Sequence, residues 1–274
     1  MVLKGNLLFN GDFETGTTEG WDTQPFGKTQ QYTLTASSEA KYRGNYGGKL
    51  HSETDLAIGY LAYNKTVSFE EYEAYLFILY TKMVRGYFNT AFLYGLDDKG
   101  NLIDDFFIGY NDEEGVWKKF IAILRGFGDI THFKVGGYFY GTFAPNTYYI
   151  DEAKLIPLRS VKGHVIAETL SFSNITADKK VYLGLACIGR CKIESIIKVY
   201  GVSGTNPTLK PYVFTGLFPD GATTLTIEHT TFTTEGRERK YYELPEVCFV
   251  ELFYDVGGDN PSFDVKHYIR IIPL

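Results

Sequence analysis

The sequence lacks several features that define common protein classes. No uninterrupted apolar run reaches the roughly 18 residues of a transmembrane helix, so membrane insertion is not expected. Lys and Arg number 27 against 33 Asp and Glu, and no basic patch is available for phosphate contacts, so a nucleic-acid partner is not expected either. Met1 to Gly5 leads directly into the first motif, and no signal peptide is expected in this chain.

Motifs of common enzymes are also missing. The sequence has no Gly-x-Ser-x-Gly, no His-Glu-x-x-His, no phosphate loop and no dinucleotide fingerprint. The five histidines stand singly, as ordinary surface or core residues do. The one dense carboxylate group flanks a Lys-Gly-Asn turn, which favours a solvated hairpin over a glycosidase pair; its members are Asp97, Asp98, Asp104 and Asp105. We therefore expect that the chain is not an enzyme.

Cysteine is scarce, with three residues, Cys187, Cys191 and Cys248. An odd number argues against a full disulfide framework. Cys187 and Cys191 flank Ile188-Gly189-Arg190, which is typical of a hairpin turn. Three interpretations fit this pair: reduced thiols in a core, a disulfide that closes a very small loop, or half of a zinc site.

Aromatic and turn residues are abundant, with 22 Tyr, 21 Phe and 29 Gly. Alternation of apolar and polar residues dominates, and helical patterns are nearly absent, so the pattern predicts an all-β protein. Strands are predicted at residues 73–84, 88–96, 102–109, 117–124, 132–140 and 147–157. The turn Asp97-Asp98-Lys99-Gly100-Asn101 predicts a hairpin between the second and third of these.

The composition changes after Pro157, which divides the chain into two predicted domains, 1–157 and 158–274. The first carries 14 Lys and Arg against 20 Asp and Glu, whereas the second has 13 of each sign. About seven strands are predicted in the second domain, at a spacing typical of an immunoglobulin-like sandwich. Gly204-Thr205-Asn206-Pro207 and Gly257-Gly258-Asp259-Asn260-Pro261 are predicted turns between them.

Two motifs at the ends of the first domain resemble a known family. The opening Asn6-Leu7-Leu8-Phe9-Asn10-Gly11-Asp12-Phe13-Glu14, with Gly20-Trp21, and the closing Tyr148-Tyr149-Ile150-Asp151-Glu152-Ala153-Lys154-Leu155 are similar to jelly-roll carbohydrate-binding modules found beside polysaccharide hydrolases. For residues 1–157 the resemblance implies a β-jelly-roll sandwich that binds glycans. It also implies a structural calcium ion held by Asp12, Glu14 and Asp151, with carbonyls from the turn at residues 43–48. Two alternatives remain open: Arg43 neutralises these acids, or they are turn residues that cap strands and face water.

The resemblance places a sugar site on one sheet, where aromatic rings stack on sugar rings and polar groups orient the hydroxyls. On the strand at residues 134–140, the alternation puts Lys134, Tyr138 and Tyr140 on one face and assigns Phe133, Val135 and Phe139 to the core. Tyr80, Lys82 and Arg85 are expected to contribute from a neighbouring strand.

Two functions fit the sequence. The first is a non-catalytic glycan-binding or adhesion protein, extracellular or attached to a surface or particle, whose partner is a polysaccharide or surface glycan. The second is a structural, self-assembling protein of a virion, spore or surface filament, a homo-oligomer in which the tyrosines serve as interface residues. The sequence leaves both open.

Overall fold

The protein is described here by a computed structural model that covers residues 5–28, 30–70, 72–216 and 223–274. The chain divides into two compact units, Met1–Val161 and Lys162–Leu274. The described residues include only two short 3-10 helices, Pro25–Gly27 and Ser38–Ala40, and otherwise strands and loops. In this part of the chain no helix combines the length and apolar character needed to cross a membrane. The all-β prediction is confirmed.

The first unit contains two sheets. Its strands are, in chain order, Trp21–Asp22 (β1), Thr33–Ser37 (β2), Gly47–Ser52 (β3), Ile58–Tyr63 (β4), Val67–Ser68 (β5), Ala74–Arg85 (β6), Phe88–Leu96 (β7), Leu102–Asn111 (β8), Trp117–Leu124 (β9), His132–Tyr140 (β10) and Asn146–Leu158 (β11). The front sheet has the order β1-β4-β10-β7-β8, with β5 also on β10. In the back sheet, the strands of this unit run β9-β6-β11-β3-β2.

The two sheets pack face to face as a sandwich. The ring of Phe139 on β10 lies 5.3 Å from that of Tyr148 on β11. The Thr81 hydroxyl of β6 donates to the Asn89 side chain of β7 across the core, at 2.5 Å. These buried contacts alternate along each strand with outward-facing residues, as expected for a sandwich.

Several elements match their sequence predictions. β7, β9 and β10 have the predicted bounds, and Asp97–Asn101 forms the hairpin turn, with Gly100 at a φ of 83°. The opening motif forms bends and turns at residues 7–12. The Asn6 side chain replaces part of the strand pairing: its amide donates to Ala153 O (2.9 Å), and its oxygen accepts the Leu155 N–H (2.8 Å).

The second unit is built on two very long strands. Its strands are Ile166–Ile175 (β12), Lys179–Leu183 (β13), Leu185–Ile188 (β14), Cys191–Gly216 (β15), Thr223–Glu228 (β16), Gly236–Leu244 (β17) and Phe249–Pro273 (β18). The sequence predicted two separate strands within each of β15 and β18. Instead, β15 and β18 pair from Cys191↔Pro273 to Gly216↔Phe249.

Each long strand contributes to two layers. One layer has the order β12, second half of β18, first half of β15, β17. The other has the order β13, first half of β18, second half of β15, β16. The second unit is therefore a sandwich whose central strands run through both layers.

The long strands bend between the layers at two matching tetrapeptides, Gly204-Thr205-Asn206-Pro207 and Gly258-Asp259-Asn260-Pro261. Gly204 and Gly258 have φ values of 109° and 104°, and Asn206 and Asn260 have 50° and 49°. A side chain on Gly204 would stand 2.6 Å from the Asn260 carbonyl, and one on Gly258 would stand 2.5 Å from that of Asn206. The segments predicted as turns are thus paired strand corners, and glycine is needed there for both φ and close approach.

The three cysteines are all buried in the second unit. The turn predicted at Ile188-Gly189-Arg190 joins β14 to β15, with Gly189 at a φ of 106°. Of the three interpretations, their burial agrees with cysteines that belong to the core.

Candidate functional site

The outer surface of the front sheet carries a continuous set of aromatic rings. We call it the aromatic face and define it by Tyr60, Phe88, Phe92, Tyr94, Phe107, Tyr138 and Tyr140. Phe92 and Tyr94 are buried beneath their neighbours, and the other five rings are partly exposed. Strand β10 shows how the sequence produces it. Phe133, Val135 and Phe139 are buried between the sheets, whereas Lys134, Tyr138 and Tyr140 alternate with them and are half-buried on the outside.

Tyr138 lies at the centre of the aromatic face. It stands opposite Tyr60 on β4 and Thr90 on β7 in the strand register. Its ring centroid is 5.0 Å from that of Tyr60, 5.3 Å from that of Phe107 and 5.6 Å from that of Phe88. Such spacings are those of favourable aromatic pairs, so the rings fix one another in place.

Charged groups lie beside these rings. Lys28 Nζ is 2.5 Å from Asp105 Oδ2 and 4.4 Å from the centre of the Tyr60 ring, and about three quarters of both charged side chains is buried. Lys134 Nζ lies 5.4 Å from the centre of the Phe26 ring. The face therefore offers a donor and an acceptor at fixed positions next to an apolar platform.

Tyr94 is the one tyrosine of the aromatic face that is completely buried. Phe26 covers it at a centroid distance of 5.3 Å, with Phe26 itself at an unusual φ of 56°. Among the described residues the Tyr94 hydroxyl has no hydrogen-bond partner. Burial raises the pKa of this hydroxyl, and the nearby Asp105 raises it further. The hydroxyl is thus a neutral, unused donor beneath the Phe26 segment.

The aromatic face continues to the loops at one end of the sheet. The Tyr87 ring, 53% exposed, meets the ring of Tyr140 edge to face at 5.9 Å. Leu56 and Phe143 are exposed in neighbouring loops, which are joined by a hydrogen bond from Leu56 N to Thr142 O (3.4 Å). Tyr140 thus lies between the centre of the face and an exposed apolar rim.

The predicted ligand-binding residues do not form one group. Tyr138, Tyr140 and Lys134 lie together on the aromatic face. Tyr80, Lys82 and Arg85 lie on β6, which pairs with β9 and β11 in the back sheet and not with β10. The expectation that β6 neighbours β10 was wrong. Alternation shows which residues share a face of one strand, but it carries no information on which strands are adjacent.

Tyr80 belongs to a second aromatic group on the outside of the back sheet, formed by Tyr42, Tyr80, Trp117 and Tyr149. The Tyr42 ring is stacked on that of Tyr80, at 4.4 Å and 20°. Trp117 lies 5.3 Å from Tyr42 and 6.5 Å from Tyr149. Lys82 stands opposite Trp117 and Tyr149 in the strand register, so it flanks this back group.

The acidic residues assigned to calcium bind backbone amides of one loop. Asp151 Oδ2 accepts the N–H groups of Tyr42 (2.7 Å) and Arg43 (3.0 Å), and its Oδ1 accepts that of Glu152 (2.7 Å). Glu14 Oε1 accepts the N–H groups of Asn45 (2.6 Å) and Tyr46 (2.9 Å). Both carboxylates therefore hold the loop that places Tyr42 on Tyr80.

The same contacts set the electrostatics of the two acids. Burial raises the pKa of Asp151 to about 6, although its three amide bonds oppose that shift. The amides of Tyr46 and Asn45 lower the pKa of Glu14. Asp12 is exposed and accepts the Glu14 amide at 3.3 Å.

The three acidic residues do not form one carboxylate cluster in the described part of the chain. Calcium takes six to eight oxygens, from carboxylates, backbone and amide carbonyls and water. Within the described ranges, no three His, Cys, Asp or Glu side chains are close enough together to hold a metal ion. Moreover, the loop turns N–H groups and not carbonyls toward Asp151 and Glu14. Gly44 permits this, because a side chain there would stand 2.3 Å from Glu14 Oε1.

The acidic residues around the β7–β8 hairpin have structural partners. Asp97 accepts the backbone N–H groups of Lys99 (2.9 Å) and Asn101 (2.7 Å) and so closes the turn. Its side-chain bond to Asn101 is the main cause of its lowered pKa. Asp104 accepts the Asp105 amide at 2.8 Å, and Asp105 is paired with Lys28. The hairpin interpretation of this group is confirmed.

Sequence reasoning missed a polar group in the core of the second unit. Ser195 Oγ lies 2.7 Å from His229 Nε2, and His229 Nδ1 lies 2.8 Å from Glu238 Oε2. A serine, histidine and carboxylate in this order have the geometry of a hydrolase triad. However, Ser195 is 0% exposed and His229 is 2% exposed, so no substrate reaches the hydroxyl. The sequence prediction treated each histidine as an ordinary surface or core residue, and His229 and His267 are core residues that both lie within hydrogen-bond distance of Ser195 Oγ. His267, inward-facing between Val265 and Ile269, was the signal for a buried partner.

No family model and no curated protein matches the chain. Similar solved structures include the N-terminal CBM22-1-CBM22-2 tandem domain from Paenibacillus barcinonensis Xyn10C, at 13% identity and a TM-score of 0.42, with 99% of each chain covered. TmCBM61 in complex with β-1,4-galactotriose is 19% identical at a TM-score of 0.40, covering 56% of this chain and 99% of that one.

A third similar structure is the enzymatically active domain of the bacteriophage CBA120 tailspike protein 4, at 16% identity and a TM-score of 0.44. The match covers 56% of this chain and 21% of that one. Carbohydrate-binding modules predominate among the similar structures, as the motifs of the first domain led us to expect. At these identities and TM-scores, the similarities carry no information about the ligand of this chain.

Proposed function

We propose that this chain is a non-catalytic glycan-binding protein that attaches to a polysaccharide or surface glycan through the aromatic face of its first unit. The observation that carries the proposal is the aromatic platform around Tyr138, with the Lys28–Asp105 pair at its edge. Sugar rings stack on aromatic rings through their C–H faces, and fixed polar groups are needed beside the platform to orient their hydroxyls.

The charges around the platform favour a neutral glycan. Lys28 and Asp105 supply both a donor and an acceptor and neutralise each other at 2.5 Å. The predicted first domain carries a net charge of −6, from 14 basic and 20 acidic residues, which disfavours polyanions. A neutral polysaccharide satisfies both conditions.

The carboxylates near the platform have positioning roles in this proposal. Asp105 binds Lys28, and Asp22 accepts the Gln24 amide at 2.8 Å. Both contacts hold the segment that carries Phe26 against the face. Glycoside hydrolysis needs one carboxylic acid and one carboxylate on either side of the scissile bond. Carboxylates that are engaged in this way agree with a role in attachment. We propose that this attachment takes place outside the cell or on a particle surface.

A glycan array probed with the full chain tests the proposal, together with light scattering of the same sample. Retention on neutral polysaccharides that soluble oligosaccharide competes away is the expected result. Ordered oligomers without retention on any glycan would refute the proposal and support the alternative, a self-assembling structural protein in which the exposed rings are interface residues.

A further inference from the structure

A continuous chain of hydrogen bonds crosses the core of the second unit. Tyr254 Oη lies 2.9 Å from His267 Nδ1, and His267 Nε2 lies 2.7 Å from Ser195 Oγ. The chain continues from Ser195 Oγ to His229 Nε2 at 2.7 Å and from His229 Nδ1 to Glu238 Oε2 at 2.8 Å. Tyr254, His267 and Ser195 are each 0% exposed, so every bond must be made within the protein.

The chemistry of the two ends fixes the direction of every bond. Glu238 is ionised: burial, which raises its pKa, is outweighed by the Thr230 amide and His229. It can only accept, so His229 carries its proton on Nδ1 and accepts at Nε2 from the Ser195 hydroxyl. Ser195 in turn accepts from His267 Nε2–H. His267 Nδ1 then accepts from Tyr254, whose pKa is raised by burial so that it keeps its proton.

The chain joins the two layers of the sandwich. Ser195 on β15, Glu238 on β17 and His267 on β18 belong to one layer. Tyr254 belongs to the other layer, and so does His229, whose amide donates to Pro211 O of β15 at 3.0 Å. Both histidines must be neutral for every proton of the chain to have an acceptor, because each imidazole then donates at one nitrogen and accepts at the other.

We propose that the Tyr254–His267–Ser195–His229–Glu238 chain is an acid-sensitive latch that holds the two layers of the second unit together at neutral pH and loosens them in acid. A proton added to His267 turns its Nδ1 into a donor that faces the Tyr254 hydroxyl, which then has no acceptor for its own proton. A proton added to His229 turns its Nε2 into a donor, so the Ser195 hydroxyl loses the acceptor for its own proton.

The charges around the latch favour this response. Glu238 and Lys240 are the charged groups that face His229, and Lys240 Nζ lies 3.7 Å from Glu238 Oε1. His267 faces Tyr254, Ser195 and the His229 ring at 5.7 Å, with no carboxylate among these contacts. Burial, with a smaller effect from His229, lowers the pKa of His267 to about 3. Burial also lowers the pKa of His229, against the opposing effect of Glu238.

Acid lowers the stability of the second unit. In the unfolded chain a histidine titrates near a pKa of about 6.5, whereas His267 stays neutral in the fold. The stabilisation is fully present above that pH and is lost as pH falls from about 6.5 toward 3, because the unfolded chain takes up protons that the fold excludes. Between pH 7 and pH 5, His267 alone raises the unfolding constant of the unit about 25-fold.

Hydrogen exchange of the full chain measures this effect locally. Opening constants of peptides from β15 and β18, corrected for intrinsic exchange, are compared at pH 7 and pH 5, with peptides from β6 and β11 as the reference from the first unit. We expect an increase of at least about 25-fold in the second unit. His267→Gln keeps a donor and an acceptor but cannot titrate, so it should remove most of that increase. His164→Gln, at an exposed histidine of the same unit, should not.

Nitrogen NMR of the imidazole rings in the wild-type chain gives a second test that does not depend on a variant folding. At pH 7, His229 should be protonated on Nδ1 only and His267 on Nε2 only. A charged ring at either position, or the opposite pair of tautomers, would overturn the proposal. So would an opening constant that does not change between pH 7 and pH 5, or an equal change in His267→Gln.

Discussion

Truncation of Tyr140 to alanine should separate binding from stability on the aromatic face. Its half-buried ring lies at centroid distances of 5.7 Å from Phe88 and 5.9 Å from Tyr87, at the exposed end of the platform. The backbone carbonyl of Tyr140, which accepts the Tyr87 amide at 3.0 Å, is kept in the variant. The change therefore removes a ring and leaves the strand pairing intact.

The magnitude follows from the buried area. A half-buried tyrosine hides roughly 100 Å² of ring, worth about 2 kcal/mol of unfolding free energy. For a unit of this size the melting temperature should fall by about 5 °C. If Tyr140 stacks on a sugar, the loss of that contact costs about 1.4 kcal/mol or more, so affinity should fall about tenfold or more.

Tyr149→Ala is the matched control. Tyr149 is also half-buried, but it lies in the back group beside Trp117, on the opposite side of the sandwich. Both variants should lose similar stability in a thermal melt, and only Tyr140→Ala should lose retention in affinity electrophoresis with neutral polysaccharides. Equal loss of retention in both variants would refute the assignment of binding to the front sheet. A loss of oligomers in Tyr140→Ala, without any glycan effect, would support assembly instead.

Three further predictions concern the first unit and its boundary. Calcium or a chelator should leave the melting temperature of the first unit unchanged, because Asp151 and Glu14 already accept loop amides. A rise of several degrees with calcium would support a calcium site instead. Lys28→Met should weaken both glycan retention and stability, the latter by about 1 kcal/mol in chemical denaturation, since it leaves Asp105 unpaired; unchanged values would make the pair an incidental contact. Residues 1–161 and 162–274 should each melt cooperatively when expressed alone, and a first part soluble only with the second attached would contradict this.

Local patterns in the sequence predict much of this fold. Strong alternation and turn chemistry are sufficient for β7, β9 and β10 and for the Asp97–Asn101 turn, because each depends on residues close in the chain. The side of each residue on β10 follows from the same alternation. Which strands are neighbours depends on contacts between residues that are far apart in the sequence. For this reason the sequence prediction wrongly made β6 a neighbour of β10.

The latch shows a second limit of sequence patterns. Ser195 and His267 are 72 positions apart in the chain, and their contact depends on the pairing of the first half of β15 with the second half of β18. Alternation predicted these two strand segments but not that they are neighbours, so the register that brings the two residues together did not follow from the sequence. An inward-facing histidine between Val265 and Ile269 indicates that a buried partner exists, but not which residue it is.

The acidic residues of the first unit show why a motif alone does not identify a ligand. A carboxylate that binds calcium and one that binds backbone amides both accept, so both produce an acidic residue at a fixed position next to a glycine-containing loop. What distinguishes them is the direction of the loop backbone. Here the segment from Tyr42 to Tyr46 turns its N–H groups toward Asp151 and Glu14. The motif therefore places the carboxylates at the loop, and the loop, through its amides, determines that they act as hydrogen-bond acceptors that fix Tyr42 against Tyr80.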